Sequence, residues 1–221
     1  MSTVPPIVVP ILATPFGVVP VRDGVALNPE LGALFAARMR AEDASGPRDS
    51  LYYRSGDDLL EWPDPAVQRL ATGIYDGIYT VVQAVNDFTE AQFRSLQLQA
   101  RGWFTVIGPD GGVPATHYPL TAWCAIYCVA APPPSETRLD SGLLRLYESR
   151  LGTMFADATN ATMRLPFRPG HYGWRPVPGQ MAVFPAYLTH EIALLRSEQS
   201  MVLVTVRARF VGPGQQGMPR W

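Results

Sequence analysis

The chain has 221 residues, of which 47% are hydrophobic and 17% charged, and its formal net charge is −1. This composition supplies a full hydrophobic core and excludes a disordered chain. No basic run is present, so we expect no nucleic-acid surface. All 18 positively charged residues are arginine, which excludes chemistry that needs a lysine, such as a Schiff base.

The first 25 residues are apolar but repeatedly interrupted by proline. They have no basic leader and no unbroken apolar span, so we predict neither a signal peptide nor a membrane helix. Proline is tolerated at sheet edges, which favours an extended edge strand here. Such an edge could pair with a second copy of the chain, so a homodimer is one expectation.

Residues 26–98 have helical patterns. Asn28-Pro29-Glu30 predicts a helix start, with proline in the first turn. Asp64-Pro65 predicts a second start, and Thr89-x-x-Gln92 is typical of a capping box at a third. The apolar positions of the second helix recur at helical spacing: Val67, Leu70, Ile74, Ile78 and Val81.

Residues 99–211 read as short strands separated by Gly- and Pro-rich turns. The predicted strands are Trp103–Ile107, Ala122–Ala130, Leu143–Tyr147, Met181–Phe184 and Met201–Phe210. Helices first and strands after indicate a mainly β fold with N-terminal helices (α+β), a double-stranded β-helix or jelly roll. We expect a single domain over 1–221, with 1–98 supporting a jelly-roll core at 99–211.

The two cysteines, Cys124 and Cys128, lie four residues apart in one predicted strand. They share a face but are about 13 Å apart at ~3.3 Å per residue, too far for a disulfide. We therefore expect buried free thiols and a cytoplasmic protein.

The chain has three histidines: His117, His171 and His190. A metal site built with imidazole ligands must draw on these three. His190 lies in PVPGQMAVFPAYLTHEI, where a Pro-Gly turn, a short apolar strand and Phe184-Pro185 precede it.

This stretch resembles the "PG…FPswL.H" segment of a bacterial and phage family of 2-oxoglutarate/Fe(II) oxygenases. The resemblance continues in order through LYYRSGDDLL at 51–60, GWFT at 102–105, HYP at 117–119, CAIY at 124–127 and GLLRLYESR at 142–150. It covers roughly residues 50–210.

The resemblance implies an oxygenase that hydroxylates or oxidatively rearranges a small molecule with O2 and 2-oxoglutarate. It implies Fe(II) held by His117 and His190, in a facial triad of two histidines and one carboxylate. No residue is assigned a catalytic role beyond binding.

The third ligand departs from the pattern, because Pro119 stands where the carboxylate is expected, two residues after His117. Strict alignment even places Thr116 and Tyr118 at the two ligand positions, unless a one-residue bulge turns His117 inward. The carboxylates that could complete a site are Asp110, Glu148 and Glu191, although Glu191 should point away from His190 on a strand.

The 2-oxoglutarate arginine is also missing, because Met201 stands at its expected position. Arg207 and Tyr127 are the remaining candidates for binding the co-substrate.

Two alternatives stay open. One is an Fe(II) oxygenase independent of 2-oxoglutarate, with substrate bound directly to iron and His171 as a tentative third ligand. The other is a non-catalytic jelly-roll binding protein with a decayed metal site.

Overall fold

The computed structural model describes residue 10 and residues 12–43, 51–149, 163–167 and 170–212. Within these ranges two antiparallel sheets form the body of the protein. The larger sheet contains β1 (Gly17–Pro20), β2 (Tyr53–Arg54), β3 (Gln97–Ile107), β5 (Trp123–Ala130), β8 (Gln180–Pro185) and β10 (Met201–Val211), in the order β1-β8-β5-β10-β3-β2. The smaller sheet contains β4 (Val113–Thr116), β6 (Leu144–Tyr147), β7 (His171–Trp174) and β9 (His190–Ile192), in the order β4-β9-β6-β7.

Three α-helices accompany the sheets: α1 (Gly24–Asp43), α2 (Pro65–Gln83) and α3 (Glu90–Arg94). Helix α2 begins at its predicted proline, and its five predicted apolar positions are all buried. At α3 the capping box is confirmed, since Gln92 N–H donates to the Thr89 hydroxyl and Thr89 N–H donates to the Gln92 side chain.

Helix α1 begins four residues before the predicted start at Asn28. Leu27 N–H donates to the carbonyl of Asp23 (3.0 Å), which closes a first turn ahead of Pro29. Proline therefore lies in the second turn and removes one helical hydrogen bond. Leu27 and Leu31, on either side of Pro29, are buried in the core between the helices and the larger sheet.

The larger sheet has one hydrophobic core on each face. In β5, Ala125 and Tyr127 pack towards the helices, whereas Cys124, Ile126 and Cys128 pack towards the smaller sheet. The second core joins both sheets, because Leu144, Leu146, Trp174 and Ile192 of the smaller sheet belong to it. Two facing sheets with alternating side chains are the jelly roll expected from the sequence.

Five strands match predicted segments, with β3 beginning six residues earlier than expected. The N-terminal edge strand is also present, because β1 pairs with β8 and is the outermost of the described strands at that end of the larger sheet. The sequence patterns missed the two-residue strand β2, which lies in the region read as helical. They also missed β4, β7 and β9, each three or four residues long. These strands are too short for a clear alternation, yet each one carries or adjoins a histidine.

Within the described residues, no helix is both long and apolar enough to cross a bilayer.

Candidate small-molecule site between the sheets

A cavity of about 400 Å³ lies between the two sheets, at the low end of the range for small-molecule sites. Ile126, Ile192 and Leu203 form its apolar wall, and the hydroxyls of Thr105 and Thr205 lie along the larger sheet. Apolar walls with a few polar groups are typical of pockets that bind small organic molecules.

His190 is the first residue of β9, and its side chain lines this cavity with only 4% of its surface exposed. Its Nδ1 lies 2.9 Å from the carbonyl oxygen of Leu188. A carbonyl can only accept, so Nδ1 carries the proton and Nε2 is left with a free lone pair. In metal-bound histidines, the ring nitrogen that does not touch the metal usually donates a hydrogen bond in the way that Nδ1 does here.

The pKa of His190 is lowered, mainly because burial disfavours the charged ring. The hydrogen bond to Leu188 opposes this shift, and the charge of His117 adds to it. His190 is therefore neutral at pH 7, and the two imidazoles lie close enough to interact electrostatically.

Thr116 rather than His117 faces His190 across the sheet. The β4–β9 register pairs Val113 with Ile192 and Thr116 with His190, which leaves one extra residue in β4 between the two pairs. Directly opposed residues in an antiparallel pair share a face, so Thr116 points into the cavity. A bulge is therefore present near the first ligand position, but it turns Thr116 inward.

Tyr118 lies at the second position on that face and also lines the cavity. Its ring makes edge contacts with His190 (centroids 5.4 Å apart) and Trp103 (5.5 Å). Burial raises the pKa of the Tyr118 phenol, an effect that Arg54 and Arg207 partly oppose. The phenol therefore stays protonated near neutral pH and can donate a hydrogen bond.

The three histidines do not form one site. His117 is exposed and does not line the cavity, although its charge reaches His190. His171 pairs with Tyr147 across β7 and β6, and their rings lie 6.0 Å apart. The Tyr147 hydroxyl donates to Glu191, which alternates with the cavity-facing His190, so His171 lies on the outer face of the smaller sheet.

Two of the three carboxylates considered for the third ligand, Glu191 and Asp110, are engaged elsewhere. Glu191 accepts from Tyr147 (2.7 Å) and Arg145 (3.1 Å) on the outer face, as its position in the strand predicts. Asp110 forms an ion pair with Arg196. Over the described parts of the chain, no group of three His, Cys, Asp or Glu side chains could hold a metal ion. Glu191 and Asp110 therefore do not complete a facial triad with His190.

The co-substrate candidates separate in the same way. Tyr127 lies on the helix-facing side of β5, and its hydroxyl donates to the Asn28 side chain of α1 (2.6 Å), away from the cavity. Met201, at the expected arginine position, is buried in the core between the sheets.

Arg207 follows Thr205 on the inner face of β10, with its guanidinium 5.4 Å from the Trp103 ring and 5.6 Å from the Tyr118 ring. It forms an ion pair with Asp57 (3.3 Å). Arg207 thus lies at the Tyr118 end of the cavity, as a candidate for ligand binding.

Sequence reasoning missed Arg54 and Trp103. Arg54 lines the cavity, and its guanidinium lies 4.2 Å from the centroid of the Trp103 ring. The pairing of Arg54 with Thr105 places β2 beside β3 and brings the arginine to this ring. The two-residue strand has no periodic signal in the sequence, so only the sheet reveals the contact.

No protein-family model matches the chain, and no curated protein sequence matches it either. Solved structures do share its fold. A Pseudomonas putida prolyl-4-hydroxylase matches with a TM-score of 0.56 at 14% identity, over 89% of this chain and 92% of that one. HygX from Streptomyces hygroscopicus, with nickel and 2-oxoglutarate bound, matches with a TM-score of 0.56 at 14% identity, over 94% and 86%.

The epimerase SnoN in complex with Fe3+, α-ketoglutarate and nogalamycin RO matches with a TM-score of 0.57 at 14% identity, over 89% of this chain and 79% of that one. Two of these three structures hold a metal and a 2-oxo acid, namely nickel with 2-oxoglutarate in HygX and Fe3+ with α-ketoglutarate in SnoN. Similarity at this level of identity shows the fold. The double-stranded β-helix expected from the sequence is therefore confirmed, and so is the resemblance in architecture to proteins that bind a metal and a 2-oxo acid.

Proposed function

We propose that this protein is an oxygenase-fold protein that binds a small organic molecule, of the 2-oxo acid class, in the cavity between its sheets. The observation that carries the proposal is the placement of His190, Thr116 and Tyr118 together on the cavity wall. All three can form hydrogen bonds, and they converge on an otherwise apolar space.

The fold supports this location. HygX and SnoN are solved with a 2-oxo acid bound, and they share the architecture of this chain. Here the cavity keeps a size suited to such a molecule, while Thr116 and Tyr118 replace the ligands that a facial triad would require. The proposed binding in this cavity therefore does not depend on a metal ion held by the described side chains.

A binding experiment on chelator-treated protein tests this proposal. We expect 2-oxoglutarate or a related organic acid to raise the melting temperature and to give a saturable calorimetric titration. Thr116→Phe fills the cavity and should abolish binding, whereas Thr72→Phe on the exposed surface of α2 should not. Binding that is absent, or equal in both variants, contradicts the proposal.

A second candidate is the Fe(II) enzyme that the sequence resemblance implies, with His190 and His117 as metal ligands. Two observations favour it. The tautomer of His190 leaves Nε2 free, and His117 is close enough for its charge to contribute to the lowered pKa of His190. A bound iron would supply oxidation of a small molecule by O2 with 2-oxoglutarate as co-substrate.

Anaerobic Fe(II) titration distinguishes this candidate. If it holds, binding should be lost in His190→Ala and weakened in His117→Ala, while His171→Ala on the outer face should bind like the parent. Equal Fe(II) affinity in all four proteins would rule out a histidine-based centre at this place. Succinate release with 2-oxoglutarate would then be the test of turnover.

A further inference from the structure

We infer that the cavity binds an anionic group of its ligand, and that Arg54, stacked on Trp103, is the residue that holds it. This inference rests on the proposed function, because it assumes that a ligand occupies the cavity. The family pattern has its arginine at the position where this chain has Met201. An anchor at Arg54 would therefore come from a different strand.

The position of Arg54 suits a binding role. Its side chain lines the cavity, and its guanidinium stacks 4.2 Å from the Trp103 ring centroid. Stacking on an aromatic face fixes the plane of a guanidinium and leaves its N–H edge available for hydrogen bonds. A carboxylate or a phosphate oxygen matches that edge.

The charge balance of the cavity favours an anion. Arg207 approaches the same ring, but Asp57 neutralises it through an ion pair in which the arginine side chain is 12% exposed. Among the described residues, no acidic side chain forms an ion pair with Arg54, and none lines the cavity. The cavity wall therefore keeps one positive charge that a ligand can neutralise.

The surroundings of Arg54 indicate the shape of the ligand. Tyr118 also contacts Trp103, with ring centroids 5.5 Å apart, and its hydroxyl can donate a hydrogen bond to a second oxygen of the same anion. Deeper in the cavity, Ile126 and Leu203 provide an apolar surface for the rest of the molecule. We therefore expect a small organic acid with an apolar or planar body, held by its acidic end.

Matched probes test this inference. Benzoate and benzamide have the same shape and differ in charge, 2-oxoglutarate adds a second carboxylate, and inorganic phosphate provides the alternative anion. Each is titrated calorimetrically into wild type, Arg54→Gln, Arg54→Lys and Arg69→Gln. Arg69 pairs with Glu30 on the helical surface, so its variant has the same change in net charge outside the cavity.

We expect benzoate or 2-oxoglutarate to bind wild type more tightly than benzamide. Arg54→Gln should weaken the anions about tenfold or more, with benzamide unchanged, because a charged hydrogen-bonding partner is lost. Arg54→Lys should give an intermediate loss, and Arg69→Gln none. If phosphate binds more tightly than benzoate and 2-oxoglutarate, the site is assigned to a phosphate ester. If either carboxylate binds more tightly than phosphate, it is assigned to a carboxylic acid.

Two results overturn the inference. Anion affinity that is equal in wild type and Arg54→Gln, with both proteins folded by circular dichroism, removes Arg54 as the anchor while leaving the cavity as a binding site. Failure of all four probes to bind wild type overturns the proposed function together with this inference.

Discussion

Thr116 stands directly opposite His190 across the β4–β9 ladder, and both side chains line the cavity between the sheets. This pairing determines the chemistry available at the site. The inward residues of the neighbouring strand edge are Thr116 and Tyr118, so the edge that would supply a histidine and a carboxylate supplies hydroxyl groups. His117 lies between them and is exposed.

The strand geometry predicts that a metal site can be installed at this edge. Thr116→His combined with Tyr118→Asp should place a histidine and a carboxylate on the cavity face beside His190. We expect one Co(II) ion to bind per protein molecule, with visible absorption bands more intense than those of wild type under the same conditions.

The control for this gain is the double variant Thr116→Ala with Tyr118→Ala, which removes the same side chains and adds no ligand. Equal Co(II) absorption in the two double variants would show that positions 116 and 118 do not share a metal-binding face with His190.

Tyr127 and Tyr118 should behave differently when each loses its hydroxyl. The Tyr127 hydroxyl donates to Asn28 on the helix side, so Tyr127→Phe should lower the free energy of unfolding by about 1–2 kcal/mol and leave ligand affinity unchanged. Tyr118→Phe removes a donor from the cavity and should weaken ligand binding instead. Urea unfolding and calorimetry measure the two effects, and weaker ligand binding in Tyr127→Phe would contradict the assignment of its hydroxyl to the helix side.

Met201→Arg should not restore co-substrate binding. Met201 is 3% exposed and packs against Gly142, where an added Cβ would lie 2.8 Å from the methionine methyl group. A guanidinium there would be buried without a partner, so we expect a loss of about 3 kcal/mol or more. Met201→Leu, which conserves the apolar volume, should cost less than about 1.5 kcal/mol.

Chemical denaturation checks the stability of both Met201 variants, and 2-oxoglutarate titration checks their binding. A gain in 2-oxoglutarate affinity in Met201→Arg would show that this position reaches the cavity after all.

Both thiols should be unreactive in the folded protein. Burial raises the pKa of Cys124, and it raises the pKa of Cys128 to about 12. The thiolate is the reactive form, so neither cysteine should be labelled appreciably by an alkylating reagent between pH 7 and 9. Mass spectrometry should show two alkylated cysteines after unfolding. Rapid labelling of the native protein would mean that the inner core opens readily.

The local elements of this protein were readable from the sequence. Pro65 and the Thr89–Gln92 pair marked two helix starts, because caps act within one turn of the chain. The strand β10 was readable from its length, and the alternation around Cys124 and Cys128 showed that both thiols share a face.

The composition of the site was decided by the tertiary structure. A one-residue change of register exchanges the two faces of a strand, so the pairing of β4 with β9 had to decide whether Thr116 or His117 faces inward, and it placed Thr116 opposite His190. The approach of Arg54 to Trp103 depends on a two-residue strand joining the sheet edge. The sequence by itself therefore predicted the jelly roll and singled out His190 as a candidate site residue. Only the packed sheets decided between Thr116 with Tyr118 and His117 as the residues beside it, and brought Arg54 to the same cavity, because side chains distant along the chain meet through pairing between strands.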